Sequence, residues 1–181
     1  MPRPKAYDRA HVVRAARDLF WERGYEATSL ADLERVTGLN RSSLYQEFGS
    51  KHGLFVEALR NYVREIAEPR LAGMRGPGGV VDYFTSLAAD LRRGGGRGCL
   101  MVNSITELGG LDPDVDVLAA GYRSRITDAL AGALRGVPDA GVKASVLTGL
   151  VLGILVTARL DVEEAALLSL RAAEVVVGVV G

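Results

Sequence analysis

Within six residues the chain carries Arg41, Ser42, Ser43 and Gln46, four side chains able to read base edges in a DNA groove. Arginine can pair bidentately with guanine, glutamine with adenine, and serine can donate or accept at either. They are expected on the outer face of a short helix whose inner face carries Leu44 and Phe48. Thr28, Tyr45 and Lys51 would surround that helix with hydroxyl and ammonium donors for phosphates. Phosphate contacts fix register while base-edge contacts choose sequence. Arg3-Pro4-Lys5, ahead of the first helix, could add a minor-groove or backbone contact.

The elements that must hold these groups follow from caps and apolar spacing. Asp8 can cap a helix running to about Arg23, with Val12, Val13, Ala16, Leu19 and Phe20 on one face. Gly24 stops it by supplying a left-handed residue. Thr28 or Ser29 caps a second helix with Leu30, Leu33 and Val36 inward, Gly38 makes the tight turn, and Asn40 caps the third helix. Gly49-Ser50-Lys51 breaks and restarts the chain. A long fourth helix carries Leu54, Phe55, Ala58, Leu59, Tyr62 and Ile66 as its stripe and ends near Pro69.

The Gly/Pro-rich segment Gly73 to Gly79 marks a boundary. Helices are expected beyond it at about 79–92, 97–109, 113–135, 141–160 and 163–179. No strand-like alternation or internal repeat stands out. The reading is an all-α chain of about nine helices. A helix-turn-helix head occupies residues 1–52, is linked through helix 53–69, and precedes a ligand-binding and dimerisation body at 53–181.

Composition limits the alternatives. At 181 residues, 48% apolar and 24% charged, the chain can build a real core and looks like an ordinary soluble protein. Its net charge is zero, so affinity for DNA must come from local placement of charge. The first 51 residues are only mildly positive, with nine basic against seven acidic side chains. The single cysteine excludes an intrachain disulfide and suits a cytoplasmic location. The N-terminus does not read as a signal peptide, and the apolar run from Val146 to Val156 reads as too short to span a bilayer before Arg159. No membrane partner is expected.

The residues Ala15-Ala16-Arg17-Asp18-Leu19-Phe20, Gly24-Tyr25, Thr28-Ser29-Leu30, Gly38, Ser43-Leu44-Tyr45, Phe48, Lys51 and Leu54-Phe55 closely resemble the N-terminal domain of the TetR family of transcriptional regulators. The resemblance covers about the first 60 residues and fixes many residue types at fixed spacings. It implies a three-helix DNA-binding head, a helical ligand-binding body and homodimeric repression. It also implies that Thr28 caps and contacts phosphate, that Tyr45 bonds phosphate, and that Lys51 clamps the backbone. Glu47 departs from the pattern, where many relatives carry histidine or a small neutral residue. A carboxylate facing phosphate would be repulsive, so it is expected to pair sideways with Arg41 or Lys51. The alternative is that it reads a cytosine amine.

In the body, the last two helices form a hairpin with little polar surface. Leu147, Leu150, Val151, Ile154 and Leu155 on the first, and Ala166, Leu170, Ala173 and Val177 on the second, are the expected homodimer interface. Gly149 and Gly153 would permit close helix approach. A buried intrachain core is the competing explanation.

Cys99 begins an expected helix, and Arg97-Gly98-Cys99-Leu100-Met101-Val102-Asn103 resembles a Gly-Cys-Leu…Asn segment of a subset of TetR-type regulators, some of which sense electrophiles, oxidants or metal through that cysteine. The helix N-terminus and Arg97 would favour the thiolate. The competing role is a small core hydrophobe. An apolar inducer could be lined by Tyr62, Tyr83, Phe84 and Met101, with Asn103, Thr106, Glu107 and Tyr122. Trp21 is expected to fill space where the first helix meets the body or solvent.

The expected partners are a double-stranded DNA operator, a second copy of the chain and a small-molecule inducer. No cofactor, metal or catalytic residue is expected. His11 and His52 both lie in the head, away from Cys99. Asp112 and Asp114, or Glu163 and Glu164, read as acids complementing helix starts, which argues against an enzyme. A helical protein-interaction module that has lost specific DNA binding is the second reading.

Overall fold

Each helix of the first unit begins on a side chain that satisfies its free amides. The computed structural model describes residues 7–180, with side chains described as far as Val175, so Arg3-Pro4-Lys5 and Val177 as an interface residue lie outside the described residues. Helix α1 (Arg9–Arg23) is capped by Asp8, which accepts from Ala10 N at 2.9 Å. Helix α2 (Leu30–Thr37) starts in a capping box, where Ser29 Oγ accepts from Asp32 N and Asp32 accepts from Ser29 N. The Ser29 hydroxyl, foremost, and Arg35 hold the Asp32 carboxyl well below the usual carboxylate range. Gly38, at φ 70°, turns the chain into Asn40, which caps α3 (Arg41–Phe48) by accepting from Ser43 N. Ser50 caps α4 (Lys51–Tyr62).

Helix α4 does not stop at Pro69. It passes through a π turn (Val63–Ala67) into α5 (Glu68–Ala72), and Pro69 falls in the first turn of α5. A proline there removes no hydrogen bond that the new segment needs. The Gly/Pro stretch is likewise shorter as a break than expected, because α6 (Gly76–Arg93) already includes Pro77 in its first turn. Four further helices follow: α7 (Leu100–Leu108), α8 (Pro113–Ala133), α9 (Ala140–Thr157) and α10 (Val162–Val180). Taking α4, the π turn and α5 as one rod, nine helical rods and no strand are present among the described residues.

Helix α1 lies against α4, with Phe20 and Phe55 edge to face at 5.0 Å, and Leu33 and Leu44 bring α2 and α3 onto the same core. Full burial of each such side chain is worth about 1.5–3 kcal/mol. Helices α6 and α10 form the most extensive pair in the body, because Ala165, Ala166, Ala172 and Ala173 are all buried and small. Ser169 Oγ donates to Phe84 O at 2.7 Å across that seam, and Thr127 and Thr148 join their hydroxyls between α8 and α9 at 3.0 Å. One buried cluster runs without a break from Val12 to Ala173, so head and body share a core.

That core changes the expected interface. Leu147, Val151, Ile154, Leu155, Ala166 and Ala173 are buried within the monomer, while Leu150 and Leu170 are half-buried. The outward face of the hairpin is instead Val142, Val146 and Val156 on α9, with Leu167, Leu168 and Val175 on α10. Gly149 and Gly153 lie exposed along it. Helix α9 is apolar nearly all round, so periodicity could not tell its inner face from its outer, whereas α10 keeps Glu163, Glu164, Arg171 and Glu174 together on its exposed side. Helix α9 is also long and apolar enough to cross a membrane, with mean hydropathy 1.8, which corrects the expectation that Arg159 cuts it short. Here it is a bundle helix, whose buried Thr148 bonds to Ala144 O and to α8.

Candidate nucleic-acid interface

Helix α3 presents one free polar face. Arg41, Ser42, Tyr45 and Gln46 are exposed, Ser43 is half-buried and Leu44 is buried beneath them. The Arg41 guanidinium lies over the Tyr45 ring, 5.6 Å from its centre. Asn40 serves as the cap. Lys51, in the first turn of α4, has its ammonium 4.3 Å from the centre of the Tyr25 ring. The face therefore offers exposed hydrogen-bonding groups along α3 and a cation at the start of α4.

Two residues depart from expectation. Thr28 is fully buried, and its hydroxyl donates to Gly24 O at 2.7 Å. The cap falls to Ser29, one residue later, leaving Thr28 without a free hydroxyl for phosphate. Among the described residues, Glu47 is paired at the start of α1 and not with Arg41 or Lys51. Its carboxylate takes Arg9 Nε at 2.9 Å and Tyr7 Oη at 2.6 Å, which pins α3 to the start of α1. Arg9 also reaches Glu57 on α4 at 3.1 Å. These partners lie some 40 residues upstream, where a local reading cannot find them.

The thiol site is a buried trio. Cys99 is fully buried; Tyr62 Oη donates to its Sγ at 3.1 Å, and Sγ lies 3.5 Å from Tyr122 Oη. Arg97 turns away and lies over Trp21 at 4.3 Å, so it does not attend the thiol. Trp21 is itself buried and donates to Arg97 O, filling the joint between α1 and the body. Burial, and next the neighbouring thiol, raise Tyr62, Tyr83 and Tyr122 above the ordinary tyrosine value.

The unfolded tyrosines ionise near pH 10. The fold holds these three protons beyond that point, so stability is unaffected below about pH 10 and falls as pH rises above it. Alkaline titration followed by tyrosinate absorbance is expected to ionise these three only as helix is lost. Smooth ionisation with the helix signal retained would contradict the burial of these tyrosines.

The eight residues expected to line an inducer site do not share one cavity. Tyr62, Phe84, Met101 and Tyr122 are closed into the core. Tyr83 borders a groove of about 260 Å³ with Arg70 and Asp90. Asn103, Thr106 and Glu107 open on another of about 440 Å³ that includes Trp21 and Val156. The two faces of α7 divide the set. Among the described residues, one group could hold a cation: His52, Asp112 and Asp114 place ligand atoms within 4.8 Å of one another. His52 already bonds Asp112 at 2.8 Å, and Asp112 caps α8. Sequence reading missed this meeting because 60 residues separate the pair.

A short helix with a polar outer face, set by a tight turn on two supporting helices, defines a helix-turn-helix DNA-binding protein. The family model for bacterial regulatory proteins of the tetR family matches residues 12–58. The HTH-type transcriptional repressor ComR of Escherichia coli (strain K12) is 37% identical over 129 residues, 68% of this chain and 60% of ComR. The matched stretch thus spans about three fifths of that relative. YezE, an HTH-type transcriptional regulator of Bacillus subtilis (strain 168), is 32% identical over 148 residues, covering 78% of this chain and 75% of YezE. A cysteine mutant of the TetR family regulator CifR, solved with 26 bp double-strand operator DNA, is 30% identical with a TM-score of 0.73 over 95% of this chain and 98% of CifR. The chain belongs to the TetR family of transcriptional regulators.

Proposed function

We propose that the protein is a cytoplasmic homodimeric repressor that reads a palindromic operator and leaves it when an inducer binds or a thiol-reactive compound modifies Cys99. The observation that carries this reading is the free face of α3, where Arg41, Ser42 and Gln46 stand exposed beside Tyr45 and Lys51. CifR, solved on operator DNA, supports it. Arg41 and Gln46 would read bases, Ser42 and Ser43 would assist, and Tyr45 and Lys51 would bond phosphates. The outward hairpin face of α9 and α10 would meet its counterpart in a second copy, giving two heads for two half-sites.

Selection of bound duplexes from a random pool by the purified protein tests the reading. A recovered pseudo-palindrome, bound with steep salt dependence, is the expected result. No enrichment at either low or physiological salt would overturn it in favour of an interaction module.

For the thiol, the phenols flanking Sγ are the supporting observation: Tyr62 Oη donates to it and Tyr122 Oη accepts from it, so a change at sulfur would disturb both bonds. N-ethylmaleimide, whose alkene carbon bonds to sulfur while its neighbour takes a proton, is expected to weaken operator binding by the native protein and not by Cys99→Ser. Equal loss in both would return Cys99 to a packing role.

A further inference from the structure

The corner of the body that joins α7 to α8 reaches the head twice. From the end of α7, the Glu107 carboxylate accepts from Tyr25 N at 2.9 Å and from Glu26 N at 2.8 Å, one oxygen for each amide. These amides belong to the loop between α1 and α2, more than 80 residues away in sequence. From the cap of α8, Asp112 takes the His52 ring on α4 at 2.8 Å. Partial burial pushes the Asp112 carboxyl up, but the Val115 amide, His52 and the Asp114 amide together hold it below its ordinary value.

The two ties converge on one side chain. The Tyr25 ring lies 4.3 Å from the Lys51 ammonium, 6.3 Å from the His52 ring and 4.8 Å from Phe55. Its backbone is what Glu107 holds. Gly24 completes the fit: at φ 84° it brings the loop so close that an added Cβ would stand 2.9 Å from Glu107 Oε2. A carboxylate held by two consecutive amides is a directional, charge-assisted contact, unlike the apolar seams around it.

We infer that Glu107 is a positioning residue for operator reading: by gripping the Tyr25–Glu26 amides, it fixes the orientation of each head on its body and so the spacing of half-sites that the protein accepts. The inference rests on the two-half-site reading proposed above. Glu107 touches no DNA in this scheme. It acts through Tyr25, which seats Lys51. A change at α7 that withdraws the carboxylate would free the loop while leaving the core of the head intact.

The test uses the full-length protein, the selected operator, and the same operator lengthened by one or two base pairs at its dyad. Native protein is expected to prefer the selected spacing strongly. Glu107→Ala is expected to narrow that preference by a factor within the usual range of coupled sites, about five- to 150-fold. Gly24→Ala should do the same from the head side, by pushing the carboxylate off. Glu107→Gln, which keeps one acceptor oxygen, should fall between. Amide exchange on the free protein should quicken at Tyr25 and Glu26 in Glu107→Ala and stay unchanged in α1 and α4, which separates a released grip from an unfolded head. Native spacing preference retained in Glu107→Ala would overturn the inference alone. Native protein indifferent to spacing would overturn the two-half-site reading and this inference with it.

Discussion

Val146→Asp is expected to leave each chain folded and to turn the protein into monomers. Val146 is 66% exposed and lies in a series with Val142, Gly149, Gly153, Val156 and Leu160, whose spacing alternates between four and three residues. That is the period of a seam between two helices, and it faces outward. The glycines let another backbone come near, since nothing in the monomer lies within 4 Å of where their Cβ atoms would be. Only 28% of α9 is buried in the monomer despite its mean hydropathy of 1.8. Near a two-fold axis, two introduced carboxylates would face one another in a desolvated seam, at a cost of several kcal/mol. Loss of the second head would then cut operator affinity by about 10²- to 10⁴-fold. Sedimentation velocity reads the first effect and titration of the selected duplex the second. A dimer that survives Val146→Asp would place the interface on another surface.

Arg41→Ala should cost about 1–3 kcal/mol against the preferred base at each half-site, about 5- to 150-fold, with little loss on unrelated DNA. The guanidinium is exposed and braced over Tyr45 at the start of α3, where it can reach a base edge without rearrangement of the helix. Lys51→Ala is the contrasting change. It should weaken binding to all sequences alike and lower the salt slope by about one per site. Binding of both variants across a set of mutated operators and salt concentrations separates the roles. If Arg41→Ala loses affinity for every duplex equally, it contacts phosphate and not a base.

The head was legible because its signals are local. Asp8, Ser29, Asn40 and Ser50 each cap the helix that follows within a few residues, and Gly38 turns the chain where a left-handed residue is required. What escaped were partners brought together by tertiary packing. Glu47 meets Arg9 and Tyr7, His52 meets Asp112, and Glu107 holds two head amides as well as bordering a groove. Thr28 and Ser29 are both good caps, and only the direction of the entering loop decided between them. In α9 nearly every face is apolar, so the sequence marked that helix as buried or paired without saying which side did which.

The π turn in the connecting rod has a consequence for how that rod can change over generations. An α-helix advances about 100° per residue, so positions four apart drift by about 40° at each step. Phe55, Leu59, Val63, Ala67 and Leu71 are nonetheless all buried at intervals of four. The wider turn at Val63–Ala67 acts as a phase correction that keeps one seam aimed at the core across its length. Deleting a single residue there would restore ordinary α geometry and keep Leu71 on the core, because the π turn already lags an α turn by about the 100° that one residue supplies. The rod can therefore lose one residue at this turn with its seam intact, whereas a deletion anywhere else along it would swing everything that follows by roughly 100°.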